Sequence, residues 1–263
     1  MVLEELREAL RRHLAPRRHS ALLVAIVALF MVRPLIGDGG LASAAFSIAI
    51  LLLLLFALYA IQVDELVGER EALVAQRRRR SMIGWALAVP AIMERVAVIL
   101  VPSPMLYLSG TILWLLLFVF ITWHLLSGVL KQREITSETI SMSISVYLLL
   151  GLTWGLFYIV LHHMQPLAFS LGSFPTPISG EQQVFPVLIY FSLTTLSTIG
   201  FGDITPVSLQ ARYAAVAEGI TGQFYLAVLV ARLVGMQMSQ TASRTENIIH
   251  TTPSPKDRIK DGS

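Results

Sequence analysis

The sequence predicts an all-α membrane protein, with six transmembrane helices and a re-entrant helix between the fifth and the sixth. Three observations predict it: long apolar runs, basic residues confined to alternate connections, and a short apolar segment that leads into a string with glycine at every second position. Of 263 residues, 55% are hydrophobic and only 14% are charged, and the mean hydropathy is +0.68. A soluble domain carries about 25% charged residues. The apolar residues cluster in runs, so lipid is the solvent for most of the chain. There are no cysteines, which excludes disulfide frameworks, thiolate metal sites and cysteine nucleophiles.

A helix crosses the hydrocarbon core in about 20 residues. Residues 20–36, 41–63, 81–101, 105–130 and 140–162 meet or approach that length, and 208–238 supply the sixth span. Gly37-Asp38-Gly39-Gly40 and Pro102-Ser103-Pro104 break the first two helical hairpins. Ala42-Ser43-Ala44 has the small-residue pattern of a signal-peptide cleavage site. Cleavage there leaves five crossings and disturbs the alternation of charge described next.

The pI near 9.4 raises the question of nucleic acid, and the positions of the basic residues answer it. Of 20 Lys and Arg, five precede Ser20, five lie at Arg70 and Arg77 to Arg80, two are Lys131 and Arg133, and four lie between Arg244 and Lys260. The intervening connections, 37–40, 102–104 and 163–206, hold none. This asymmetry is a topology signal and puts both termini in the cytoplasm. No nucleic-acid partner is expected; membrane lipid is.

Residues 181–206 are too short to cross twice as helices. An apolar helix from Val184 to Thr195 is followed by Leu196-Ser197-Thr198-Ile199-Gly200-Phe201-Gly202-Asp203. A half-crossing helix with an extended return is tolerated at membrane depth only where protein buries it or a wet cavity receives it. Glycine at every second position permits alternating backbone dihedrals without Cβ strain. Such dihedrals let successive carbonyls face one axis, and Thr198 can add its hydroxyl below them.

Thr195-Leu196-Ser197-Thr198-Ile199-Gly200-Phe201-Gly202-Asp203 resembles, position for position, the T-x-T-T-V-G-Y-G-D filter of the potassium channel family. Ser197, Ile199 and Phe201 stand where the commonest members have Thr, Val and Tyr. The resemblance is strong over 140–238 and only architectural before that. It implies that Thr198, Ile199, Gly200 and Phe201 present the carbonyls that coordinate potassium, with Gly202 completing the filter. Asp203 matches the aspartate behind the filter mouth, with Thr195 and Tyr190 as further support. Phe201 lacks the hydroxyl that ties the tyrosine version to the pore helix. Gly219 and Gly222 are candidate gating hinges on the last span, and Gln223 is a candidate cavity-lining residue. Potassium enters as the permeant ligand, with no cofactor. One filter per chain implies a homotetramer around a four-fold axis.

The expected organisation is an amphipathic cytoplasmic helix over 1–19, a four-helix membrane domain over 20–130, a cytoplasmic linker over 131–139, a pore domain over 140–238 and a disordered tail over 239–263. Residues 96–130 contain no Asp, Glu, Lys or Arg, so the fourth span lacks the arginines of a voltage sensor. Arg33 and Glu94 lie at matching depth and are a candidate ion pair between the first and third spans. Glu218 is a buried-looking ionisable residue, either functional or a structural bond behind the filter. No soluble ligand-binding domain, enzyme nucleophile or metal cluster is visible. A non-selective cation channel and a subunit of a potassium transport system stay open as alternatives. The arginine- and alanine-rich composition fits a bacterial plasma membrane.

Overall fold

The computed structural model describes residues 17–36, 48–59, 74–100, 103–132, 135–171 and 181–251. The expected amphipathic helix over 1–16 and the segment beyond 251 lie outside them. Seven helices are described: α1 (Arg18–Ile36), α2 (Ile48–Tyr59), α3 (Val74–Leu100), α4 (Pro104–Lys131), α5 (Ser137–Met164), α6 (Glu181–Leu196) and α7 (Leu209–Thr251). A two-stranded antiparallel ribbon joins β1 (Phe169–Ser170) to β2 (Thr205–Pro206), with Phe169 opposite Pro206. Among the described residues, three helices are long and apolar enough to cross a membrane: Met105–Lys131, Ser137–Met164 and Leu209–Met238. Arg18–Val32, Ile48–Tyr59, Ser81–Glu94 and Val184–Leu196 are shorter apolar helices.

α5 is the hub. It packs against α1, α4 and α6, and α6 in turn packs against α7. Leu22 and Ile26 of α1, Phe118, Ile121 and Leu125 of α4, and Val146, Leu149 and Leu152 of α5 are buried in one continuous core. Local chemistry sets where α5 begins. The Thr136 hydroxyl accepts from the Thr139 N–H at 3.2 Å while the Thr139 hydroxyl faces back to the Thr136 N–H, a capping box. Glu138, in the first turn, reaches across to α1. It accepts from the backbone N–H groups of His19 at 2.9 Å and Ser20 at 3.3 Å, and from the Ser20 hydroxyl. A carboxylate here satisfies the open N–H groups of the neighbouring helix and complements its dipole.

α4 closes on Gln132, whose carbonyl accepts from the Arg232 guanidinium of α7. Glu94 of α3 is buried against Gly110 of α4, where an added Cβ would fall 1.9 Å from the Glu94 carboxyl carbon. Gly110 is thus the residue that lets α3 and α4 close over this carboxylate. The side chain of Arg33, its expected ion-pair partner, lies outside the described residues.

One expectation needs correction. The tail was expected to be disordered from residue 239, yet α7 continues as helix to Thr251. From Gln237 to Thr251 the chain contains neither glycine nor proline, and Gln, Met, Ala, Arg and Glu among these residues favour helix.

Candidate functional site

The site is built where α6 runs out. The carbonyl of Thr194 accepts from the N–H groups of Ile199 at 2.9 Å and Gly200 at 3.1 Å, and that of Thr195 from the Thr198 N–H at 3.0 Å. The last carbonyls of a helix lack intrahelical partners, and here the following segment supplies them. Ser197 folds its hydroxyl back onto the Leu193 carbonyl at 2.6 Å. The segment is thereby pinned to the end of α6.

Beyond this anchor the backbone alternates. Thr198 has φ of 59°, Gly200 52° and Gly202 80°, with Ile199 and Phe201 between them outside the positive-φ set. Glycine adopts this region freely. Thr198 is β-branched and, among the described residues, is the one non-glycine with positive φ, a strained conformation that persists only where its surroundings impose it. The expected alternation at every second residue is therefore present, and it begins one step before the first glycine.

The rest of the segment is held from behind. The Phe201 ring stacks on Tyr190 of α6, with centroids 6.3 Å apart and planes 4° from parallel. The Tyr190 hydroxyl lies near the Asp203 carboxylate, which accepts from the Ile204 N–H at 3.0 Å. Past Asp203 the chain enters β2, and the N–H of Val207 donates to the Ala168 carbonyl at 2.8 Å. Thus Tyr190, Phe201 and Asp203 lie together at this end of the segment.

α7 stands beneath. Gln223 directs Nε2 to the Thr198 hydroxyl at 3.4 Å. Gly222 lies against the end of α6: a Cβ there would be 2.3 Å from the Leu196 carbonyl oxygen. Gly219 is different, since its Cβ would meet only the Thr195 carbonyl at 3.8 Å, an ordinary contact. α7 runs as helix through both glycines.

Two features escaped the sequence reading. Gly151 and Gly155 of α5 form a small-residue face for α6, where Cβ atoms would approach Leu193 Cδ2 at 2.6 Å and Ile189 Cδ1 at 2.4 Å. Their four-residue spacing was a usable signal. The partners of Glu218 carried no such signal. It is fully buried and bonded to Tyr158 of α5 and Ser192 of α6.

An apolar helical hub, a short helix that ends in a pinned, alternating segment, and a long third helix beneath it make up one continuous region of the fold. Residues 146–238, from within α5 to within α7, match the family model described as ion channel. The resemblance to potassium channels read from the sequence is supported over this region. Over 105 residues the chain is 28% identical to Protein LctB of Bacillus caldotenax, a match covering 39% of this chain and 75% of that protein. No solved structure matches.

Proposed function

We propose that the chain is one subunit of a homotetrameric potassium channel that conducts passively through the filter at 198–202. The observation that carries this reading is the left-handed backbone at Thr198, Gly200 and Gly202, pinned to the end of α6. Alternating positive and negative φ turns successive peptide planes to the same side, so the carbonyls form a row able to replace the hydration shell of a cation. The partly negative C-terminal end of α6 adds favourable potential for a cation below. Gln223 and the Thr198 hydroxyl line the entrance from that side.

Exposure supports assembly. Ile199 and Phe201 are 59% and 68% exposed in the single chain, and only 11% of the most apolar stretch of α7 is buried. Lipid cannot satisfy the open polar backbone of 198–203. Copies around a four-fold axis, with water and ions between them, can. The distribution of basic residues supports six crossings with both termini in the cytoplasm of a bacterial cell.

The test is cation flux into liposomes containing the purified full-length protein. Potassium or rubidium uptake should exceed sodium uptake and should be lost in Gly200→Ala, because alanine at a φ of 52° is strained. Equal sodium and potassium uptake would overturn selectivity and leave a non-selective cation channel. Tyr190→Phe keeps the stack on Phe201 and removes the hydroxyl that lies near Asp203. It is expected to lower the potassium-to-sodium ratio about twofold or more, while uptake itself persists.

A further inference from the structure

Glu218 sits inside α7 with none of its surface exposed, at the meeting of three helices. One carboxyl oxygen, Oε2, accepts from the Tyr158 hydroxyl of α5 at 2.6 Å. The other, Oε1, contacts the hydroxyl of Ser192 on α6. The same Ser192 oxygen lies 2.7 Å from the carbonyl oxygen of Gly151 on α5. Tyr158 is enclosed by Phe169 and Phe191, with ring centroids 5.4 and 5.2 Å away.

The hydrogens in this cluster can be counted. Ser192 has one hydroxyl hydrogen and faces two oxygens that, with Glu218 ionised, are both acceptors. Donating to Glu218 would leave two bare oxygens in contact at Gly151; donating to Gly151 would leave the same repulsion at Glu218. Every contact is satisfied in one arrangement: Glu218 carries a proton and gives it to Ser192, Ser192 gives its own to Gly151, and Tyr158 gives its own to Glu218. Burial points the same way. The titratable group bonded to the carboxyl is the Tyr158 phenol of α5, while the nearby Tyr147 phenol donates to the Leu196 carbonyl at 3.3 Å; α6 presents the Ser192 hydroxyl. On its own helix, Arg212 is spent on the Pro206 carbonyl. No cation pairs with Glu218 among the described residues, and an unpaired carboxylate inside the membrane is far costlier than the neutral acid.

We propose that Glu218 is held as a neutral carboxylic acid and acts as a positioning residue for the filter. The proton joins α7 to α6, and through Ser192 to α5. Ser192 lies two residues before Thr194, whose carbonyl holds the N–H groups of Ile199 and Gly200. A shift at Ser192 is therefore passed to the first carbonyls of the filter. Loss of the proton would break the bond to Ser192 and leave a buried charge beside it, so conduction should fall at alkaline pH.

The proposal rests on reading 198–202 as the filter, and its test separates the two. Full-length wild type, Glu218→Gln and Glu218→Ala are compared in liposomes by rubidium uptake against pH, and by infrared spectroscopy at neutral pH. Glutamine can donate to Ser192 and accept from Tyr158 without titrating. Glu218→Gln should keep uptake within about twofold of wild type, while Glu218→Ala, which strands two buried hydroxyls, should lose about tenfold or more. Wild-type uptake should decline as pH rises, and that of Glu218→Gln should not. The wild-type spectrum should contain a protonated carboxyl stretch that Glu218→Gln lacks. Identical carboxyl regions in the two proteins, or a Glu218→Gln channel as damaged as Glu218→Ala, would overturn the proposal. A wild-type protein with no rubidium uptake would sink the filter reading, and the infrared comparison would still decide the state of Glu218.

Discussion

Replacing Gly222 with alanine is expected to abolish selective rubidium uptake, while the same change at Gly219 leaves it intact. The two glycines lie one turn apart on α7, and sequence alone makes both of them hinge candidates. Their surroundings differ. A Cβ at 222 would lie 2.3 Å from the Leu196 carbonyl oxygen and 3.2 Å from its carbon. These are backbone atoms at the end of α6, next to the carbonyls of Thr194 and Thr195 that hold the filter. No rotamer change relieves the collision, so α6 or α7 must move. Overpacking of this kind costs about 1–3 kcal/mol per site. A loss of uptake of about tenfold or more follows. At 219 the Cβ meets only an ordinary contact at 3.8 Å, and alanine gains up to about 1 kcal/mol of helix propensity. Gly219→Ala should therefore raise the thermal midpoint of the detergent-solubilised protein. If Gly219→Ala stops conduction and Gly222→Ala does not, the helix bends at 219 and the packing account of 222 is wrong.

Much of this site was legible because its chemistry is local. The segment at 198–202 is made of consecutive backbone groups, so Gly200 and Gly202 announce their dihedrals through spacing alone, and Tyr190, Phe201 and Asp203 lie within one short stretch. Hydropathy likewise located α4, α5 and α7, because lipid imposes a length on each. Thr198 shows where local reading stops. Nothing in a β-branched residue points to a φ of 59°; the anchoring of its neighbours to α6 imposes it. The Glu218 cluster was illegible for a different reason. Its four members sit at 151, 158, 192 and 218, and Ser192 alone resembles any small polar residue in an apolar helix. Only the packing of α5, α6 and α7 gives them a common meaning. The same holds for Glu138, an ordinary first-turn acid of α5 that also caps α1, far away in sequence. The end of α7 was misjudged because polar composition was read as disorder, although the residues up to Thr251 contain no helix breaker.

Gly155→Ala is the second change expected to have a large effect, and a companion substitution can show why. The added Cβ would fall 2.4 Å from Ile189 Cδ1, 3.3 Å from Cγ1 and 3.1 Å from Cα. The first contact is too close to survive, whereas the other two need only a few tenths of an ångström. Ile189→Val deletes Cδ1 and by itself costs about 0.5–1.5 kcal/mol as a buried methyl loss. Gly155→Ala alone should lower stability by about 1–3 kcal/mol, and the double variant should be more stable than the sum of the two predicts. Simple additivity would mean that the helix faces do not meet there. The consequence for conduction follows from chain position. Ile189 precedes Tyr190, so pushing α6 away from α5 at this point displaces the ring that stacks on Phe201 and the hydroxyl near Asp203. Gly155→Ala should therefore lower the potassium-to-sodium uptake ratio as well as stability, and Gly155→Ala with Ile189→Val should restore both together. Recovery of stability without recovery of the ratio would show that α5 supports the fold of α6 but does not set the position of the filter mouth.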